Sequence, residues 1–206
     1  CDRCRSVSPG TGASISGIDG ADGKTKIAST LDLGDNAALW SEFTPHAYTL
    51  DATLESDAGR HEHRTWFGLR DVATEGTRIT INGSPVFLRG TLECAIFPKT
   101  GYPPTDVIER ARIFDRRKEF GLNHMRFHSW CPPRAAFLAA DRAGIYLQVE
   151  GPFWVNQGPQ LGLGDPIDRY VYDETDRILA EFCNHPSFVM MAYGNEPSGP
   201  GPGGQG

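Results

Sequence analysis

Between Lys26 and Arg70 apolar and polar residues alternate in short runs: KIASTLDL, AYTLDATLES and RTWFGLRD. A period of two puts every second side chain on one face, which is the pattern of a half-buried strand. GDN and SDAG between the runs are turn chemistry, because Gly, Asn and Asp tolerate left-handed backbone. The stretch predicts strands of a β-sandwich, roughly three or four of them, too few to close an independent two-sheet domain. The sandwich is expected to be completed upstream or to be only marginally folded. TRITINGSPVFLRG follows, and Asn82-Gly83 between two β-rich runs predicts a hairpin. Val86, Phe87 and Leu88 are then expected to form a short buried strand ending at Arg89-Gly90.

Past Gly90 the pattern switches to alternating helix and strand. TDVIERARIFDRRKEFG opens with Asp106 as an N-cap and Glu109 three residues on. It carries Val107, Ala111 and Phe114 on one face and closes on Gly121. HMRFHSW reads as a short strand, PPRAAFLAADRAG as a helix with Pro at its entry and Gly144 at its exit, and IYLQVEGP as the next strand. DRYVYDETDRILAEFCNHP is a helix with an acidic first turn, stopped by Asn184-His185-Pro186, and FVMMAYGNE is the last strand. The strands are nearly continuous apolar runs, as expected for strands buried on both faces of a parallel sheet in an α/β fold. Their polar residues gather at the exits: Arg126 and His128, Glu150, then Asn195 and Glu196. The C-terminal rim is where a (β/α)8 barrel keeps its chemistry. A doubly wound sheet also places ligands at strand ends, but its Gly-rich phosphate loop is missing here.

Composition narrows the function classes. The 206 residues are 39% hydrophobic and 22% charged, ordinary for a globular protein. A formal net charge of −6, with no basic stripe carrying interleaved aromatics, argues against a nucleic-acid partner. No apolar run approaches the roughly 20 residues of a membrane span. The chain starts at Cys1 without a basic and apolar leader, so any targeting signal is expected to lie upstream or to be absent. Cys1, Cys4, Cys94, Cys131 and Cys183 are odd in number and irregular in spacing, which is not a disulfide framework. Cys1-Asp-Arg-Cys4 has zinc-pair spacing but no second pair and no nearby His, so no metal is expected there.

LWSEFTPHAYTLDATL, FGLRD, INGSPVFLRG, GLNHMRFHSWCPP, AADRAGIYLQVEGP and NHPSFVMMAYGNE stand in the order and spacing of one known family. From about Lys26 to Pro200 the sequence resembles glycoside hydrolase family 2, the β-galactosidases, β-glucuronidases and β-mannosidases. The resemblance implies a partial immunoglobulin-like β-sandwich followed by the first half of a (β/α)8 TIM barrel, about four βα units. It divides the chain into a frayed segment at 1–25, the partial sandwich at 26–76, the half barrel at 77–200 and a disordered Gly/Pro-rich tail at 201–206. The chain is expected to be an internal fragment of such an enzyme.

The family's reaction is retaining hydrolysis of terminal β-linked sugars by two carboxyl groups about 5–5.5 Å apart. By resemblance Glu196 is the acid/base, although a rim carboxylate can also simply pair with an Arg. Asn195 matches an Asn that hydrogen-bonds the sugar 2-hydroxyl; its alternative is a turn residue at the strand end. Arg126 and His128 match an Arg that orients the carboxylates and a His that reaches the sugar, against satisfied core positions. Glu150 either binds a hydroxyl or balances Arg126, and Trp154 and Trp130 are candidate stacking platforms for a sugar ring. EGPFWVNQGPQ has no counterpart of the metal-binding Glu and His of some β-galactosidases, so neither metal nor cofactor is expected. The family's nucleophile belongs to the seventh barrel strand, so this stretch alone is expected to be inactive. The alternative function is a non-catalytic carbohydrate-binding or degenerate homologue. The expected partner is a β-glycoside, with no nucleic acid and no membrane, and with self-association through the open half barrel.

Overall fold

The computed structural model describes residues 4–6, 14–19, 25–154 and 160–196, with side chains from residue 30 onward except at Ser56. Cys1, the Cys4 side chain and the Gly/Pro-rich tail at 201–206 lie outside the described residues.

The first half is β-structure. Cys4–Ser6 (β1) runs parallel to Ala47–Ser56 (β4), and Ser14–Asp19 (β2) pairs antiparallel with Thr25–Thr30 (β3). β1 and β2 fall where aperiodic composition predicted only a loose terminus. Ladder hydrogen bonds join backbones and need no apolar alternation, so periodicity does not reveal such strands. β4 forms a long hairpin with Gly59–Phe67 (β5) that turns at Asp57-Ala58 inside SDAG, as the turn chemistry predicts. Val72–Glu75 (β6), Arg78–Ile81 (β7) and Ser84–Pro85 (β8) make a three-stranded antiparallel sheet. Asn82 and Gly83 link β7 to β8 with φ of 52° and 74°, the paired positive values that a two-residue hairpin requires.

The expected strand at Val86–Leu88 is not formed. Phe87 is 77% exposed, while Val86 and Leu88 turn inward against Trp40, Ile81 and Tyr146. The strand lies further on, at Gly90–Glu93 (β9), and the His124 ring packs directly against Gly90 at its start. A Cβ on Gly90 would sit 2.4 Å from His124 Nδ1, so no larger residue fits there without displacing the ring.

Beyond β9 the chain alternates strictly: helix Val107–Glu119 (α1), strand His124–Phe127 (β10), helix Arg134–Ala143 (α2), strand Tyr146–Glu150 (β11), helix Pro166–Phe182 (α3) and strand Phe188–Ala192 (β12). The Asp106 carboxylate caps α1 by accepting from Ile108 N at 2.8 Å and Glu109 N at 3.1 Å. Gly121 and Gly144 follow α1 and end α2 in left-handed backbone, φ 73° and 71°. The four strands are parallel and stand in the order β9-β10-β11-β12, each beside its predecessor. Met125, Phe127, Leu147 and Val149 face the helices, packed with Phe114 of α1, Ala136, Phe137 and Ala140 of α2 and Ile178 of α3. Leu92, Arg126, Gln148 and Met190 stand in one register row across the opposite face. The N-terminal end of that face is closed by Trp40, fully buried against Tyr146 and Ile81, with its indole donating to the Asp141 carbonyl at 2.8 Å. What remains open is the C-terminal rim.

Candidate active-site rim

Four elements deliver side chains to this rim. Arg126 is the third residue of β10, and its guanidinium reaches the end of the adjacent β11 and, past it, the segment after β12. Nε donates to Glu150 Oε1 at 2.5 Å, and Nη2 donates to Asn195 Oδ1 at 2.6 Å. Glu150 is fully buried at the end of β11, and its second oxygen accepts the Ser129 N–H at 2.8 Å. Both carboxylate oxygens are therefore engaged, which favours charge balance with Arg126 over binding a hydroxyl. A buried carboxylate is tolerable only when paired and hydrogen-bonded in this way.

Strand β10 ends at Phe127, so His128 leaves the sheet just beyond it, although its N–H still donates to the Glu93 carbonyl at 2.9 Å. The His128 Nδ1 and Ser129 Oγ lie 3.0 Å apart, and the imidazole meets the Trp154 ring nearly edge-on at 4.7 Å, 82° between planes. Trp154 is 56% exposed, and its indole N–H donates to Glu196 Oε2 at 3.1 Å. Asn195 is buried and Glu196 exposed.

The chain segments after β11 and β12 are laced together past the end of the sheet. Asn195 N donates to the Phe153 carbonyl at 2.8 Å, Gly151 N donates to the Ala192 carbonyl at 2.9 Å, and Trp154 forms a bridge with Asn195. Gly194 is obligatory in this arrangement, since a Cβ there would lie 2.1 Å from the Phe153 carbonyl oxygen. Ala95, Ser129 and Glu196 adopt φ of 56°, 60° and 47°, each just past a strand exit. Left-handed backbone in non-glycine residues costs energy and collects where geometry serves a site.

Arg126, His128, Glu150, Trp154, Asn195 and Glu196, all singled out from the sequence, are thus brought together. Trp130 is not: it donates to the Glu93 carbonyl at 3.2 Å and packs on Phe127 and the Arg110 guanidinium. Two residues escaped the sequence reading. Ser129 supplies the N–H that holds Glu150 and the hydroxyl beside His128; a lone Ser in a turn carries no signal of that. Glu93 accepts from Ala95 N at 2.5 Å and Arg110 Nη1 at 3.3 Å, and its carbonyl anchors both His128 and Trp130. At the bottom of the same face burial pushes the His124 imidazole down to about 4, with the nearby Arg126 charge adding to the effect.

With rim and sheet described, the class is clear: in sequence and fold the chain resembles the β-glycosidases of glycoside hydrolase family 2. It is 28% identical over 174 residues to a protein named β-galactosidase from Lactococcus lactis, covering 78% of this chain and 16% of that one. To a β-glucuronidase from Paenibacillus borealis it is 27% identical over 190 residues, 87% of this chain and 31% of the other. The solved β-D-glucuronidase of Dictyoglomus thermophilum matches with a TM-score of 0.67 at 24% identity, over 85% of this chain and 31% of that one. That structural likeness is one of fold. The chain spans 16% of the length of the first curated relatives it matches. No protein-family profile matches it.

Proposed function

We propose that this chain carries the acid/base side of the active site of a retaining β-glycosidase. The observation behind the reading is the Arg126 guanidinium, which ties Glu150 to Asn195 one residue before Glu196. In this reading Asn195 Oδ1 is occupied by Arg126, so its amide N–H groups are left to donate to a sugar hydroxyl, a bond that strengthens at the transition state. Glu196 protonates the leaving oxygen and then activates water. Arg126 and Glu150 act as a neutral, rigid pair behind them, and His128 and Trp154 form the wall beside Glu196.

Strand order supports the barrel part of the proposal. Each parallel strand lies beside its predecessor and all three helices pack on one face, as in a (β/α)8 barrel. A doubly wound sheet reverses its order and puts helices on both faces. On this reading 77–200 form the first half of a barrel and 26–76 part of an immunoglobulin-like sandwich.

Retention also needs a nucleophilic carboxylate. Glu150 is saturated by Arg126 and Ser129, and Glu93 is held by Arg110 and Ala95, so neither of these rim carboxylates is placed to attack. We therefore expect the chain by itself to bind β-glycosides without turning them over. Assayed against 4-nitrophenyl β-glycosides, it should give no release above background. Release that disappears in Glu196→Gln would overturn the assignment of the nucleophile to residues elsewhere. A non-catalytic sugar-binding role is the second reading, favoured by the exposed Trp154 next to buried Asn195. Both readings predict that Asn195→Ala weakens binding of a phenyl 1-thio-β-glycoside, but only the catalytic one predicts that binding follows the protonation of Glu196.

A further inference from the structure

We propose that Trp154 is a positioning residue for Glu196, holding its carboxylate through the indole N–H instead of offering only a face for sugar stacking. The functional consequence rests on the reading of Glu196 as acid/base; the contact itself does not. Glu196 is exposed and itself adopts left-handed backbone, φ 47°, so burial does little to fix its side chain. The hydrogen bond from Trp154 Nε1 to Oε2, at 3.1 Å, supplies the missing restraint.

The indole is itself held from two sides. Its backbone is bridged to Asn195, and the Asn195 N–H bonds the Phe153 carbonyl at 2.8 Å. Its ring leans on His128, which is pinned through the Ser129 hydroxyl at 3.0 Å. Ser129 N in turn holds Glu150, and Glu150 holds Arg126 and through it Asn195. A ring of contacts therefore runs from Glu196 through Trp154, His128, Ser129, Glu150, Arg126 and Asn195 back to Glu196. A donor placed on a carboxylate by such a frame sets where the proton-transfer oxygen points, which is what acid/base catalysis requires of geometry.

The test uses the full chain labelled with 15N. The Trp154 indole N–H resonance, assigned by its loss in Trp154→Phe, should move when the Glu196 carboxylate is protonated. Those of Trp40 and Trp130, which donate to the carbonyls of Asp141 and Glu93, should not. In Glu196→Gln that movement should vanish. The other titratable groups facing the site are His128 and Arg126 from the β10 exit and Glu150 from β11, and His128→Asn removes any contribution of the imidazole. A movement that survives Glu196→Gln, or none in the unaltered chain, overturns the inference. The functional arm is the pH dependence of phenyl 1-thio-β-glycoside binding. Trp154→Phe keeps an aromatic face and loses the N–H, so its binding midpoint should shift while a pure stacking role would leave it in place. Should no thioglycoside bind, the glycosidase reading fails and the indole titration still decides the contact.

Discussion

Arg126 shows how one side chain ties a rim together. Its guanidinium presents donors in a fixed fork, one edge to Glu150 and another to Asn195, which an ammonium cannot do at once. Arg126→Ala leaves the buried Glu150 carboxylate with only the Ser129 N–H, and should cost about 3 kcal/mol in urea unfolding. Arg126→Lys should recover part of that stability but not the affinity for a thioglycoside, since Asn195 loses its orienting partner. Equal recovery of both would show that a positive charge suffices here and that the guanidinium fork is not needed. The residue type and its place at a strand exit were readable from HMRFHSW; the partners were not, because Glu150 and Asn195 lie 24 and 69 positions away.

Among the elements, the helices followed local chemistry most closely. Asp106, Gly121 and Gly144 sit where capping and left-handed termination require them, because those preferences act over three or four residues. Asp106→Ala removes the acceptor for two first-turn N–H groups and should lower stability by about 1 kcal/mol, read as a shift in the urea midpoint at unchanged slope. No shift would mean that water serves those donors equally well. The strands divided. β4, β7 and the Asn82-Gly83 turn matched the pattern, whereas Val86–Leu88 is apolar for a different reason. Val86 and Leu88 serve the plug around Trp40, and the adjacent β9 is the poorly apolar GTLE.

At the scale of the molecule, the sheet separates two environments. One face and the N-terminal end of the other are dry, and His124 lies in the dry part beside Gly90. Its imidazole takes up a proton near pH 6.5 when unfolded but only at about 4 when folded. Between those values the unfolded chain binds the extra proton at His124, so this group's contribution to stability is full above pH 6.5 and is lost as pH drops towards 4. The loss should be on the order of 3 kcal/mol. Substituting His124 with Asn should flatten that part of the stability profile, measured by urea unfolding at a series of pH values; an unchanged slope would assign it to other groups.

Periodicity, capping residues and turn dipeptides act between neighbours in the chain, so they alone were enough for the alternation of strand and helix, the hairpin at Asn82-Gly83 and the polar strand exits. The likeness of its blocks to family 2 glycosidases was likewise legible without coordinates. Which side chains meet at the rim was settled only when four parallel strands came into register. That register brought Arg126 within reach of both Glu150 and Asn195, turned Trp154 towards Glu196 and left Trp130 in the packing. Contacts across dozens of residues depend on the closure of the whole sheet, and no local pattern carries them.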